Sequence, residues 1–473
     1  MRQDRRLPRL AAVVLTAALA ACAASGPSLA GPEAREPLPW RINPFPSTYS
    51  PLPRVDTLIT GATVLDGAGR RLDHADVLLR AGKVIAVGPN LAHPDGVTVI
   101  DAQGRWVTPG IVDIHSHDGD FSLPLTANDL QNSDTNESSD PNSANVWAEH
   151  SVNPQDPDFS RALTGGVTTL QVLPGSSELF GGRSVVLKNV PSVTVEAMKF
   201  PGAPYGLKMA CGENPRFTFG SRTKFPNSRM GNMAGYRQAW LDAKAYKAKW
   251  EKYERDGGEP PARDLKLDTL AGALDGDIRV HMHCYRADEM AEVIDLSHEM
   301  GYRLAAFHHA VEGYKIAALL KRENICAVVW PDWWGFKMEA MDAIRENAAF
   351  LDAQGVCVTM HSDSPMVGQH LTVEAGKAMA AGVRAGLDIR PERAIEWVTL
   401  NPARGLGLDG QIGSLEPGKT ADVVIWSGDP FSVYTKADQV FIDGALVFDR
   451  FDPRRQPKAD FELGQPALQA VAP

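Results

Sequence analysis

Between Asp56 and Val107 apolar residues come in short bursts: Leu58-Ile59, Val64-Leu65, Val77 to Leu79, Val84 to Val87 and Val97 to Ile100. Gly and Asp separate them. Bursts rich in β-branched residues and bounded by turn formers predict strands. The same texture returns near the other end, in Ala421 to Trp426, Gln439 to Ile442 and Ala445 to Phe448. Turns fall there at Gly428-Asp429-Pro430 and Asp443-Gly444. Two strand-rich ends predict one small β-sandwich built from both, over 54–108 and 408–455.

The stretch 109–407 has a different rhythm, in which apolar runs alternate with amphipathic segments. Candidate strands are Ile111–His115, Thr168–Leu173, Ser184–Leu187, Gly206–Cys211, Ile278–His283, Arg303–His308, Ile325–Trp330 and Val356–Met360. Ala287–Met300, Tyr314–Arg322, Lys337–Gln354 and Thr372–Ala385 carry helical patterning between or after them. Eight strands with intervening helices predict an α/β fold, a (β/α)8 TIM-like barrel; pattern alone also admits a doubly wound sheet. An insertion over 214–272 holds a charged helix, Met230–Arg255, expected to pack outside the barrel. Its alternative uses are a lid or a homo-oligomer contact.

At the start of the chain Arg2, Arg5, Arg6 and Arg9 precede an apolar run from Leu10 to Ala21, too short to span a bilayer. Leu19-Ala20-Ala21-Cys22 resembles a bacterial lipobox. That resemblance implies a signal peptide over 1–22, cleavage before Cys22 and lipidation of its thiol. The alternative is a plain secretory leader cut near Ser28-Leu29-Ala30. The expectation is an exported protein, a periplasmic or cell-envelope lipoprotein held to the outer or inner membrane through Cys22. Residues 23–53 read as a flexible tether and 456–473 as a tail.

Composition narrows the classes. The 473 residues are 44% hydrophobic and 22% charged, as in a globular protein. Lys and Arg number 48 against 58 Asp and Glu, a net charge of −10 that argues against a nucleic-acid partner. Five cysteines are too few for a disulfide scaffold, and no pair has zinc-ribbon spacing. Cys211, Cys284, Cys326 and Cys357 sit in apolar segments and are expected to be buried free thiols.

The histidines add chemistry. Pro109-Gly-Ile-Val-Asp-Ile-His115-Ser-His117 ends the first barrel strand with two histidines two apart, which share one side of a strand. Both imidazoles then reach one metal at about 2.0–2.1 Å. His283 ends the fifth strand, His308-His309 the sixth, and His361-Ser-Asp363 the eighth. Carboxyl edges of barrel strands are where such sites are built.

These motifs, with the tail Thr399-Leu-Asn401-Pro-Ala403 to Trp426, resemble the amidohydrolase superfamily and within it the imidazolonepropionase-like amidohydrolases. The likeness runs from about Asp56 to Asp449. It implies one or two divalent ions, zinc first among them, at the mouth of the barrel. His115, His117, His283, His309 and Asp363 would be ligands, with His308 the alternative to His309. The fourth-strand ligand would be Glu213, or Lys208 in carboxylated form; the position of Glu213 at the strand's end favours it.

The resemblance also implies the reaction. A metal lowers the pKa of its bound water from about 15.7 to about 7 and polarises a carbonyl. Asp363 would move the proton from that water to the leaving nitrogen. The substrate would be a small molecule carrying a non-peptide or cyclic amide. Arg286 and Trp333 are the candidate substrate contacts, the first for a carboxylate and the second for stacking; a salt bridge to Asp288 or Glu289 and core packing are their plain alternatives. A metallodipeptidase of the Xaa-Pro type and a non-catalytic metal- or ligand-binding lipoprotein are the rival readings.

Overall fold

The computed structural model describes residues 36–457 apart from Ser122 and Pro124. The expected signal peptide, the Cys22 lipobox, the tether over 23–35 and the tail beyond residue 457 lie outside the described residues.

Strands β1 (Thr57–Leu65), β2 (Arg71–Arg80), β3 (Lys83–Gly88), β4 (Thr98–Asp101) and β5 (Trp106–Pro109) form the N-terminal part of the sandwich. Barrel strands follow: β6 (Ile111–Ser116), β7 (Val167–Val172), β8 (Phe180–Lys188), β9 (Gly206–Ala210), β10 (Arg279–Cys284), β11 (Leu304–His309), β12 (Cys326–Val329) and β13 (Val358–Met360). The chain returns to the sandwich with β14 (Val423–Trp426), β15 (Ala437–Ile442) and β16 (Ala445–Asp449).

The two ends meet at β5, which pairs parallel with β1 and antiparallel with β14. Val107 therefore lies between Val64 and Ile425, and all three are fully buried in the sandwich core. Gly110 then carries the chain into the barrel. A Cβ there would sit 2.1 Å from Thr168 Oγ1, so only glycine fits this passage.

The barrel strands are hydrogen-bonded to one another in sequence order. They run parallel except β8, which is antiparallel to both neighbours. This corrects the expectation of uniform strand-helix units. Residues 173–179 between β7 and β8 can make a turn, whereas a parallel crossover needs a dozen or more residues. The barrel closes by side chains and loop backbone. Asp113 Oδ1 accepts from the backbone N–H groups of His115 and Ser362, and the Asp363 N–H donates to the His115 carbonyl at 3.0 Å.

Helix Ala287–Met300 matches its pattern, while the Lys337–Gln354 pattern yields one 3-10 turn at Met338–Ala340 and an α-helix only over Asn347–Ala353. Ahead of it, side chains tie the backbone elsewhere: Lys337 bonds Asn214, and Glu339 is held by Arg229 and the Glu213 N–H. The insertion helix, Arg229–Asp256, buries Tyr236, Trp240, Ala243, Tyr246 and Trp250 along one stripe. Trp240 stacks on Tyr302 with ring centroids 4.3 Å apart. Leu38 and Trp40, inside the expected flexible tether over 23–53, are instead packed on the far end of that stripe.

The four cysteines are not free. Cys211–Cys284 and Cys326–Cys357 are disulfides, with Cα atoms 5.2 and 4.5 Å apart. Register explains both. Ala210 faces His283 across β9 and β10, so the next residues face each other; Ala327 faces Val358, so the preceding residues do too. Among the described residues no helix is long and apolar enough to cross a membrane.

Candidate metal centre

At the carboxyl edge of β6 the two-residue period turns His115 and His117 to one side, where they meet Asp363 from the end of β13. His115 Nε2 and His117 Nε2 lie 2.9 and 3.1 Å from Asp363 Oδ1, and His309 Nδ1 lies 3.9 Å from Oδ2. The His283 ring packs edge-on to His309 at 4.5 Å between centroids. All these histidines are buried. The backbone is bent to place two of the groups: His309 has φ +71° and Asp363 φ +50°, the left-handed region that side-chain-bearing residues rarely occupy and that recurs at functional sites.

Proton bookkeeping shows what this arrangement needs. His117 Nδ1 lies 2.8 Å from the Leu173 carbonyl, which only accepts, so Nδ1 carries the proton. Nε2 is then turned to Asp363 Oδ1 at 3.1 Å, a contact completed by a proton on Nε2 or by a metal ion held between the two groups.

His115 is backed by a relay of two further histidines. Its Nδ1 lies 2.8 Å from His308 Nδ1, and His308 Nε2 lies 2.9 Å from His281 Nδ1. Burial lowers the pKa of His115 and His308 well below the ordinary value and that of His281 to about 3, so all three are neutral with one proton each. Three neutral rings with one proton each can run this chain in either direction. The direction in which His115 Nδ1–H donates to His308 and His308 Nε2–H to His281 presents the His115 Nε2 lone pair to Asp363 and is the one a metal ion at that place would select.

Other nitrogens have the same need. His115 Nε2, both nitrogens of His283, His309 Nδ1 and both of His361 are buried without a hydrogen-bond partner. His115, His309 and His361 offer ligand atoms within 4.8 Å of one another, as do His115, His117 and Asp363. Imidazole nitrogens with one carboxylate are a donor set suited to a divalent transition metal. Burial would raise the Asp363 carboxyl, but the His117 contact and the surrounding histidines outweigh it and hold that carboxyl well below the usual range.

The other residues singled out from sequence fall as follows. His308 points into the relay and His309 toward Asp363. His361, which the sequence reading left without a role, joins the cluster; its signal was its place two residues before Asp363, the spacing of His115 and His117. Lys208, fully buried on β9, weighs electrostatically on His115, His283, His308 and His361, and its Nζ donates to the Pro174 carbonyl at 2.9 Å. Burial lowers its pKa to about 7. Glu213 instead opens the Glu213–Gly220 helix, and its charge acts on Tyr285, Lys337 and Glu339. A cavity of about 320 Å³ opens over His117, His283, His309 and Asp363, with Trp333 in its wall. Arg286 is absent from that wall. Its fork is taken by Asp288 at 2.6 and 3.0 Å, the plain alternative for this residue.

The comparisons with known proteins agree with this geometry. The amidohydrolase family matches residues 106–450. Amidohydrolase tasK of Hapsidospora irregularis is 32% identical over 443 residues, 88% of this chain and 43% of that protein, so the chain spans less than half of that relative's length. Imidazolonepropionase of Pseudomonas putida (strain GB-1) is 24% identical over 391 residues, covering 77% of this chain and 90% of that one. A solved amidohydrolase from Thermotoga maritima MSB8 superposes with a TM-score of 0.77 at 38% identity, covering 83% of this chain and 100% of that chain. With its barrel, its strand-end histidines and these matches, the chain belongs to the amidohydrolase family, in the imidazolonepropionase-like branch.

Proposed function

We propose that this protein is a metal-dependent hydrolase that opens a C–N bond other than a peptide bond, a linear or cyclic amide, in a small molecule. The observation that carries the reading is the convergence of the His115, His117 and Asp363 ligand atoms, ringed by buried nitrogens of His283, His309 and His361 that have no hydrogen-bond partner. His115, His117, His283, His309 and Asp363 would hold the ion, with His361 within reach, and zinc is the ion we assign to so imidazole-rich a set. Such an ion supplies hydroxide from water near neutral pH and polarises the carbonyl under attack. Asp363, with one oxygen toward His115 and His117 and the other toward His309, is placed to take the proton of the attacking water and return it to the leaving nitrogen. Lys208 rather than Glu213 is the fourth-strand group in this reading. It lies among the histidines, and a pKa near 7 leaves neutral amine to take up carbon dioxide as a carbamate.

Export through the N-terminal leader, with Cys22 as lipid anchor, is part of the proposal. Two disulfides support it, since such bonds persist in oxidising compartments.

A screen of lactams, N-acyl amino acids and dipeptides with zinc-loaded and chelator-treated protein tests the function. Turnover of a non-peptide amide that is lost to chelator and restored by zinc is expected. Turnover of dipeptides alone would make the protein a metallodipeptidase, and no metal-dependent turnover of any kind would return it to the class of binding lipoproteins.

A further inference from the structure

The cavity over the metal centre has two unlike features besides the histidines. One wall is aromatic. Trp330 is stacked between His309 at 4.4 Å and Trp333 at 4.5 Å, the two tryptophan planes only 8° apart. Tyr285 also packs on His309, at 5.0 Å, with its ring 6.2 Å from Trp330, and Phe336 stands edge-on to Trp330. A flat apolar surface thus runs outward from a candidate ligand to the rim, where Trp333 is half-buried. The second feature is Lys337, the one lysine or arginine in the cavity wall among the described residues.

The Lys337 ammonium lies 3.8 Å from the Tyr285 ring centroid and donates to Asn214 Oδ1 at 2.8 Å. It forms a loose ion pair with Glu339 Oε2 at 3.7 Å, while the other oxygen of that carboxylate is bonded to Arg229 at 2.6 Å and to the Glu213 N–H at 2.7 Å. An ammonium has three donors, so beyond Asn214 and this loose pair Lys337 keeps capacity for an entering anion. The side chain is 17% exposed, in a place where an anion entering the cavity meets it out of bulk water. Arg286, the sequence candidate for that task, is occupied by Asp288.

We propose that Lys337 binds a carboxylate of the substrate while Trp330 and Trp333 stack on its planar or bulky apolar group. The substrate class is then an N-acyl or cyclic-amide derivative of an acid that carries an aromatic or large apolar group. This rests on the hydrolase reading only for the position of the scissile bond; the binding itself needs no turnover.

The test uses two probes that amide hydrolysis leaves intact, 3-phenylpropionate and its neutral counterpart 3-phenylpropan-1-ol. Dissociation constants are measured by calorimetry on the zinc-loaded protein and on chelator-treated protein, because a carboxylate also binds zinc. The acid is expected to bind about tenfold or more tightly than the alcohol in both forms, the increment of one charged hydrogen bond. Lys337→Met should bring the acid's affinity down to that of the alcohol. Lys337→Arg should restore part of it, and Trp333→Leu should weaken both probes alike. Absence of the preference in chelator-treated wild-type protein overturns the proposal without recourse to any variant, and so does a preference that survives in a folded Lys337→Met protein. A silent hydrolysis screen would remove the hydrolase reading and leave these constants untouched.

Discussion

His308 and His309 are neighbours in the chain and face opposite ways, one into a buried relay behind His115 and the other toward Asp363. Sequence shows that both end a strand and that only one can share a side with the cluster, but which one depends on the register of β11. The i, i+2 spacing of His115 and His117 made them legible at once; the same spacing in His361 and Asp363 held the signal that was overlooked. The relay yields a prediction at this scale. His308→Ala should weaken zinc binding about 10- to 100-fold, as loss of a partner behind a ligand does, measured by competition with a chromogenic chelator. A second prediction concerns the fourth-strand group. Lys208→Met should lower the number of bound ions per chain, read by elemental analysis, whereas Glu213→Gln should leave it unchanged. The reverse pattern would return the role to Glu213. Neither outcome was readable from sequence, because Lys208 and Glu213 both lie where a ligand is wanted and only the turn at Gly212 sends them apart.

Among the elements, all eight barrel strands stand near their expected places because buried strands are written as apolar runs bounded by turns. Strand direction and pairing are not written that way. The reversal of β8 follows from the short stretch 173–179, and the two disulfides follow from register between strands far apart in sequence. The helical pattern of Lys337–Gln354 failed where tertiary contacts of Lys337 and Glu339 outweighed local preference. Replacing Cys326 and Cys357 together by Ser should cost about 2–4 kcal/mol, the range for a bond that shortens the unfolded chain. Urea unfolding of the variant and of wild type without reductant checks this, and equal midpoints would mean the cysteines are not bonded in the folded protein.

Across the whole molecule, stability depends on pH through buried groups of both kinds, histidines whose pKa burial lowers and acids whose pKa it raises; Asp158 isolates the second kind. Asp158 is 1% exposed, with both carboxylate oxygens lacking a hydrogen-bond partner. Burial first, and then the charges of Asp118 and Asp156, push its pKa well up. A carboxyl whose folded value is raised binds its proton more tightly in the folded state, so its contribution is full below the ordinary aspartate pKa and is lost as pH rises through the raised value. Asp158 should therefore destabilise the folded protein at pH 8 relative to pH 5. Asp158→Asn should melt about 2–4 °C higher than wild type at pH 8, with a smaller difference at pH 5, by circular dichroism. A variant that melts lower at pH 8 would mean that the acid is ionised and held by a cation. The two-ended sandwich, the barrel between its halves and the rim of histidines were legible because each has its own apolar rhythm or residue type; the substrate wall was not, because Trp330, Trp333 and Lys337 acquire meaning only beside His309 and Asp363. The central claim is that one metal centre forms where those groups converge, and anomalous X-ray diffraction at the zinc edge from crystals of zinc-loaded protein tests it most directly. The account predicts a peak bonded to His115, His117 and Asp363; a fully loaded crystal with no peak there, or with its zinc held elsewhere, would contradict it.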